Sequence, residues 1–213
     1  MRRGIGLVVA VMAMWACTAQ QGNMKTASGL VQRKFQTEID GKSTDLFRLT
    51  NASGMEVCVT NYGGRIVSIL VPDRKGVMRD VVLGFDNIAA YQKHSSNYGA
   101  TIGRYANRIA KGRFVLDGDT IQLDLNDKLG NNMHGGEPGW AYRVFDAVQK
   151  DSATLVLTYV SPDGESHFPG TVQVEVAYHL TDDNALDIAY TAVTDRPTVI
   201  NMTNHSFFNL SGK

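Results

Sequence analysis

The chain has 213 residues, which is enough for one sizeable domain with its own core. Lys plus Arg and Asp plus Glu each number 21, so the formal net charge is zero. This balance removes the simplest argument for nucleic acid or an anionic surface as a partner. A neutral polyhydroxy ligand such as a sugar needs no net charge from its host, so the composition is compatible with a small-molecule sugar.

The N-terminus has the pattern of a targeting segment. Two arginines near the start precede an apolar run over residues 5–15, which is followed by Ala16 and Cys17 and then by polar residues. A basic start, a short apolar stretch and small residues are typical of a secretory signal peptide, and a bilayer-spanning helix would need about 20 apolar residues. We expect residues 1–17 to be a signal peptide and residues 18–33 to be a polar linker.

The sequence around Cys17 also resembles the cleavage box of bacterial lipoproteins. Ala16 fits this box, whereas Trp15 is bulky for its position. We expect lipidation of Cys17, with export to the periplasm or to a membrane through the lipid anchor. Cleavage without lipidation and an uncleaved segment are the alternatives. Lipidation would leave Cys58 without a partner for a disulfide, and its place in an alternating run indicates a small core residue.

From about residue 34 onward the hydrophobic pattern is that of β-strands. Residues 172–180 alternate apolar and polar side chains, which predicts one buried and one wetter face. Residues 113–116 lead into Asp117-Gly118-Asp119, a hairpin signal, and apolar alternation resumes over residues 121–125. Further strands are predicted over residues 46–50, 55–60, 65–71, 81–85, 142–148, 154–160, 186–191 and 198–203.

Helical patterns are scarce, with one short turn or helix predicted over residues 87–92. Many short strands with Gly, Asp and Asn turns predict an all-β sandwich or barrel in a single domain over residues 34–213. Residues 93–111 and 126–140 lack clean alternation. Long irregular segments inside a compact domain are often functional, so we expect site residues there.

Three segments carry motifs that occur together in one family. They are Gly-Ala-Thr-Ile-Gly-Arg-Tyr-Ala-Asn-Arg-Ile at 99–109, Asn-Met-His-Gly-Gly at 132–136 and Thr-Asn-His-Ser-Phe-Phe-Asn-Leu at 203–210. In this order they resemble the aldose 1-epimerase family, also called galactose mutarotases. Shorter matches at 61–64, 71–73, 82–85 and 161–165 agree. The resemblance runs from about residue 35 to the end.

The resemblance implies an antiparallel β-sandwich of the galactose mutarotase type (a supersandwich). It also implies interconversion of the α and β anomers of free aldohexoses such as galactose and glucose. A base takes the proton of the C1 hydroxyl while an acid protonates the ring oxygen, and the resulting aldehyde turns and recloses on its other face. Histidine is the usual positioned acid near neutral pH and a carboxylate is a natural base, so no metal or organic cofactor is expected.

Carried over residue by residue, the resemblance makes His205 the general acid. It implies that His134 and Arg108 hydrogen-bond the sugar near its ring oxygen and hydroxyls, with Asn107 beside them in the binding set. The guanidinium offers five donors in a fixed fork, which suits the orientation of hydroxyl oxygens.

The residues that follow the acid are expected to add contacts. Ser206 and Phe207 flank His205, and Phe207 stands where the family often has tyrosine, so a hydroxyl contact is absent there. Of Phe207 and Phe208, we expect one to stack on a sugar and the other to face the core.

The family's base is a glutamate, and a further aspartate binds sugar hydroxyls. The resemblance places both beyond residue 213, so we expect the domain to be incomplete at its C-terminus. Glu165 belongs to a different motif and is not assigned as the base. A positioned proton-transfer group contributes typically ~10²–10⁴-fold, so the isolated chain is expected to be nearly inactive.

Other functions remain open at this point. A non-catalytic carbohydrate-binding fragment could keep Arg108, His134 and His205 as contacts. An enzyme for a phosphorylated sugar would need extra basic residues, for which Arg104 and Lys111 are the nearby candidates. A glycoside hydrolase needs two carboxylates flanking the bond, and no such pair is marked. The two histidines could be half of a metal site, but zinc usually takes three or four ligands, so no metal is predicted.

Overall fold

The computed structural model describes residues 24–94 and 96–212. The predicted signal peptide over residues 1–17, with Cys17, lies outside these residues. In the described part of the chain, no helix combines the length and the apolar character needed to cross a membrane.

Short strands account for most of the regular structure. In chain order they are β1 (Glu38–Ile39), β2 (Lys42–Ser43), β3 (Leu46–Thr50), β4 (Glu56–Thr60), β5 (Arg65–Pro72), β6 (Met78–Asp80), β7 (Thr101–Ile102), β8 (Arg108–Ile109), β9 (Arg113–Leu116), β10 (Asp119–Gln122), β11 (Asn132–Met133), β12 (Asp146–Gln149), β13 (Thr154–Ser161), β14 (Val172–Leu180), β15 (Leu186–Thr194) and β16 (Thr203–Asn204). The described residues also include one α-helix, α1 (Ile88–Lys93), and 3₁₀ segments at Gln32–Phe35, Ala110–Gly112, Trp140–Tyr142 and Glu165–His167.

Two antiparallel four-stranded sheets form the body of the fold. The first has the order β3-β4-β5-β6 and the second the order β12-β13-β14-β15. Val57 and Val59 of β4 share one buried apolar cluster with Leu157 of β13 and Val176 of β14. Strand β14 alternates buried and exposed side chains along its length because one face meets this core and the other meets solvent. The predicted all-β antiparallel sandwich is confirmed.

The outer face of the first sheet is also covered. Phe35, Val67 and Tyr91 form a second buried cluster there with Cys58. Residues 24–33, which the sequence places in a polar linker, pack against the sheet through a buried carboxylate. The backbone N–H groups of Ala27 and Ser28 donate to the Glu56 carboxylate at 3.0 and 3.1 Å. These bonds compensate for burial of the Glu56 side chain.

Cys58 occupies the core position that the alternating pattern predicts. It is a free, fully buried cysteine, and burial raises the pKa of its thiol to about 11. Because the thiolate is the reactive form, this side chain acts as a small apolar residue rather than a nucleophile.

Several local predictions are confirmed. Strands β9 and β10 form the predicted hairpin, with Leu116 paired to Asp119. The short helix begins where Asn87 caps it, since the Asn87 side-chain oxygen accepts the N–H of Ala90 at 2.8 Å.

Two strand predictions are wrong, and a third is too long. In residues 81–85, Val82 makes only an isolated bridge to Phe208, because the Asp80 carboxylate takes the N–H groups of Ile69 and Val82. Within residues 198–203 only the last residue belongs to a strand, β16. The strand predicted over residues 142–148 begins only at Asp146, the first residue of β12, because a 3₁₀ segment occupies Trp140–Tyr142 before it.

Candidate active site

The predicted acid, His205, follows the short strand β16, which pairs antiparallel with β7. The backbone N–H of His205 donates to the carbonyl of Ala100 at 2.8 Å, and the N–H of Gly99 donates to the carbonyl of His205 at 3.1 Å. Main-chain bonds therefore fix the last motif beside the first, although the two lie far apart in the sequence.

The middle motif, at residues 132–136, is joined to the first motif by a second short pair of strands. Strand β8 pairs with β11, so that Arg108 lies opposite Met133. Beyond this pair, the N–H of His134 donates to the carbonyl of Asn107 at 2.9 Å, and the N–H of Asn107 donates to Nδ1 of His134 at 3.1 Å. Both residues have left-handed backbones, with φ of 63° at Asn107 and 55° at His134. Such conformations cost free energy outside glycine, and the reciprocal bonds help to hold them.

The two imidazoles meet edge to face. The ring centroids of His134 and His205 are 5.0 Å apart at an interplanar angle of 85°. Burial lowers the pKa of His134, and the neighbouring His205 and Arg108 lower it further. A backbone N–H can only donate, so Nδ1 of His134 is an acceptor and the neutral ring carries its hydrogen on Nε2. His134 is thus prepared to donate a hydrogen bond from Nε2 as a neutral ring.

Arg108 is held from two sides. Its Nε donates to Oδ2 of Asp127 at 2.7 Å, and its Nη1 donates to Oδ1 of Asn107 at 3.3 Å. Hydrogen bonds from the backbone of Asn131, together with the one from Arg108, lower the pKa of the Asp127 carboxyl. Asp127 therefore stays ionised near neutral pH and keeps its contact with the guanidinium.

An aromatic wall borders the histidine pair. The rings of His205 and Phe207 have centroids 5.0 Å apart, and Tyr98 meets Phe207 at 5.1 Å in a T-shaped contact. Phe207 is 42% exposed, so a face remains accessible to a ligand. Phe208 is 61% exposed and lines an apolar groove together with Ile69 and Leu186, so the prediction that one of the two phenylalanines faces the core is wrong.

A pocket of about 440 Å³ adjoins His134. This volume lies within the range of small-molecule sites, about 300–1,000 Å³. Its lining is mixed polar and apolar: Gln92, Asn97, Asn126, Met133, His134, Gly136, Glu137, Pro138, Gly139, Ala141 and Tyr142. Most of these residues fall in the irregular segments 93–111 and 126–140, which the sequence marks as functional, but no pattern singles out the individual side chains.

The backbone beside the pocket is held by the buried side chain of Arg65, which the sequence does not single out. Arg65 is 0% exposed, and its Nη1 donates to the carbonyls of Ser96 and Tyr98 at 2.9 and 3.0 Å. Its Nη2 donates to the carbonyl of Ala141 at 2.7 Å. The guanidinium carbon also lies 4.9 Å from the centroid of the Tyr91 ring. Arg65 thereby ties together two stretches of backbone whose neighbours line the pocket.

Two further candidate residues differ in how they are engaged. Ser206 has a buried hydroxyl oxygen with no hydrogen-bond partner among the described residues, while its N–H donates to Asn204 at 3.0 Å. The buried Arg104 binds the carbonyls of Pro169 and Pro162 at 2.8 and 2.7 Å, so it serves the scaffold. It is therefore not placed to hold a phosphate.

Glu165 is likewise a structural residue. Its carboxylate accepts hydrogen bonds from the Tyr159 hydroxyl at 2.6 Å and from Nε1 of Trp140 at 3.2 Å, and it pairs with Nη2 of Arg143 at 2.9 Å. A carboxylate engaged in this way is a poor general base. Within residues 24–94 and 96–212, no three His, Cys, Asp or Glu side chains come together as a metal site.

Similarity to known proteins agrees with this geometry. The family model described as aldose 1-epimerase matches residues 45–213. The aldose 1-epimerase of Escherichia coli is 38% identical over 174 residues, which are 82% of this chain and 50% of that protein. The galactose mutarotase of Bos taurus is 38% identical over 197 residues, or 90% of this chain and 51% of that protein.

Solved structures show the same relationship. An aldose epimerase homologue from C. elegans has a TM-score of 0.76 at 29% identity, covering 80% of this chain and 52% of that chain. Galactose 1-epimerase from Lactobacillus acidophilus has a TM-score of 0.73 at 32% identity, covering 82% and 52% respectively. The chain spans about half the length of the curated relatives that it matches. On the family-model match and these identities, the chain belongs to the aldose 1-epimerase family.

Proposed function

We propose that the chain carries the acid side of an aldose 1-epimerase site and acts on free aldohexoses such as galactose and glucose. The observation that supports this most strongly is the convergence of His134, His205 and Arg108 at one place, with the two ring centroids 5.0 Å apart. The relatives named aldose 1-epimerase and galactose mutarotase make this isomerase reaction the natural assignment.

In the proposed reaction His205 gives a proton to the ring oxygen as the bond between C1 and that oxygen breaks. The electron pair of this bond goes to the ring oxygen, and a base removes the C1 hydroxyl proton so that an aldehyde forms. Rotation about C1–C2 and the reverse steps give the other anomer. General acid–base catalysis of this kind needs a donor within hydrogen-bond reach of the reacting oxygen.

The neighbours of His205 have supporting roles in this proposal. His134 donates from Nε2 to a sugar oxygen, and the Arg108 guanidinium donates to hydroxyls, with Asn107 holding both residues. Phe207 offers an aromatic face to the sugar ring, and Ser206 is kept as a minor contact. We assign no base among the described residues, because the carboxylates of Asp127 and Glu165 are already paired with Arg108 and Arg143.

The second candidate is a non-catalytic carbohydrate-binding fragment. The exposed face of Phe207 and the donors of Arg108 and His134 would suffice for binding without proton transfer. The two candidates differ in whether the bound anomer is converted.

The test combines binding with catalysis on a chain comprising residues 18–213. D-galactose is expected to shift the imidazole NMR resonances of His134 and His205 and to reach anomeric equilibrium faster than in buffer alone, as followed by polarimetry. The expected acceleration is small, because the described residues supply the acid and no assigned base.

Methyl α-D-galactoside is the matched control, because its ring cannot open. It should shift the same resonances without a change in optical rotation. Binding of galactose with an unaltered rate of interconversion would favour the carbohydrate-binding alternative. If galactose moved neither imidazole resonance, both candidates would be excluded.

We further propose that the protein is exported and anchored by a lipid on Cys17. The support is the sequence pattern of residues 1–17. In a bacterial host, the full chain is expected to incorporate labelled palmitate and to sediment with membranes, and Cys17→Ser is expected to do neither. Equal labelling of both chains would contradict the anchor.

A further inference from the structure

Asp127 lies outside the motifs, yet it binds the guanidinium of Arg108 directly. Its two carboxylate oxygens have separate partners. Oδ1 accepts the backbone N–H groups of Leu129 and Asn131 at 2.9 and 2.8 Å. Oδ2 accepts Nε of Arg108 at 2.7 Å and Nδ2 of Asn131 at 3.2 Å. Oδ1 therefore binds only the loop backbone, while Oδ2 binds the arginine and also the side chain of Asn131.

This contact fixes a side chain that would otherwise be mobile. The Arg108 side chain is 47% exposed, whereas that of Asp127 is only 7% exposed. A long exposed side chain loses rotamer entropy when it is ordered, and that loss weakens ligand binding unless the free protein has already ordered it. With Nε on Asp127 and Nη1 on Asn107, the plane of the guanidinium is set before a ligand arrives.

We propose that Asp127 is the positioning residue for Arg108, so that the remaining N–H groups of its two terminal nitrogens meet the sugar hydroxyls in one fixed orientation. This inference rests on the proposed function, because it assumes that Arg108 binds the sugar. It adds a residue that acts through Arg108 and does not itself touch the sugar.

Because the two carboxylate oxygens have different partners, a substitution can replace one of them and keep the other. Asp127→Asn keeps an acceptor at Oδ1 for the N–H groups of Leu129 and Asn131, so the loop retains its turn. At the other position an NH₂ group replaces the oxygen that receives Nε of Arg108 and Nδ2 of Asn131. Donors then face each other at this position, and Arg108 keeps only its bond to Asn107.

Asp73 offers a matched control in the turn between β5 and β6. Its Oδ1 accepts the backbone N–H groups of Lys75 and Val77 at 2.8 and 3.0 Å, and its Oδ2 lies 3.6 Å from Nε of Arg79. The local arrangement repeats that of Asp127, but the partner of Asp73 is Arg79, whereas the partner of Asp127 is the candidate site residue Arg108. Asp73→Asn therefore reproduces the chemical change away from the candidate site.

The experiment measures D-galactose affinity and the Nε–H resonance of Arg108 by NMR in the wild type and in both variants. Asp127→Asn is expected to weaken galactose binding about 3- to 10-fold, the effect of one lost hydrogen bond, and to shift the Arg108 Nε–H resonance. Asp73→Asn should change neither. A purely structural role for Asp127 would lower the thermal midpoint without moving the affinity of the folded fraction.

Arg108→Lys serves as a second variant, because lysine keeps the charge and lacks Nε. The double variant with Asp127→Asn should bind galactose no more weakly than Arg108→Lys alone, since both changes remove the same contact. Additive losses would overturn the inference, as would unchanged affinity in a folded Asp127→Asn chain. Failure of the wild-type chain to bind galactose would instead overturn the proposed function.

Discussion

Replacement of Gly99 by alanine is expected to lower the free energy of unfolding by about 3 kcal/mol or more. The backbone of Gly99 has φ of +66°, and a Cβ there would lie 1.9 Å from the carbonyl oxygen of Ile66. That oxygen belongs to the backbone of β5 and cannot move aside alone. The same glycine accepts the N–H of Ile66 at 2.9 Å and donates to the carbonyl of His205 at 3.1 Å, so a displaced backbone would disturb the core and the histidine together.

Urea unfolding followed by tryptophan fluorescence would measure this loss. Gly76→Ala is the control, because Gly76 has φ of +76° and nothing lies within 4 Å of the added Cβ. It should cost only the backbone strain, about 1 kcal/mol. Equal midpoints for the two variants would show that the close approach to Ile66 carries no penalty.

Replacement of His205 by asparagine is expected to return anomer interconversion to its spontaneous rate. The small acceleration expected of the wild-type chain depends on the positioned proton donor, and an asparagine amide has no proton of suitable acidity. Binding should change much less, because Arg108 and the Nε2 hydrogen of His134 remain. Polarimetry with α-D-galactose measures the rate, and the NMR titration measures the affinity.

His179→Asn is the matched control for this loss. His179 lies on the exposed face of β14, where its Nδ1 contacts the Thr154 hydroxyl at 3.0 Å, and it touches none of the candidate site. This variant should retain the wild-type rate. A His205→Asn chain that kept the wild-type rate would remove the proton donor from the proposal.

The body of the fold was accessible from the sequence because alternation is a local signal. Strand β14 shows a period of two over its whole length, since one face packs on a core and the other faces solvent. The strand predicted over residues 81–85 is wrong because an apolar run does not indicate which hydrogen-bond partners the backbone finds. The Asp80 carboxylate takes N–H groups that a ladder would otherwise use, and no periodicity reports such a bond.

The candidate site was only partly predictable. His134, His205 and Arg108 stand in recognisable motifs, and the structure brings them together. Asp127 looks like an ordinary turn residue in a loop rich in Asn and Gly, because its bond to Arg108 depends on the pairing of β8 with β11. In the sequence Arg65 is a single charged residue at the start of a predicted strand. Its burial could not be predicted, because the carbonyl oxygens that bind it belong to the backbone and have no sequence pattern.

The three carbonyl groups that bind Arg65 have a consequence under acidification. Carbonyl oxygens do not titrate in the range where proteins are stable, and a guanidinium remains protonated throughout it. The contact that the Asp127 carboxylate makes with Arg108 weakens once that acid is protonated, whereas the hydrogen bonds of Arg65 to Ser96, Tyr98 and Ala141 do not. The inner frame of the pocket is therefore built from bonds that an acidic medium leaves intact.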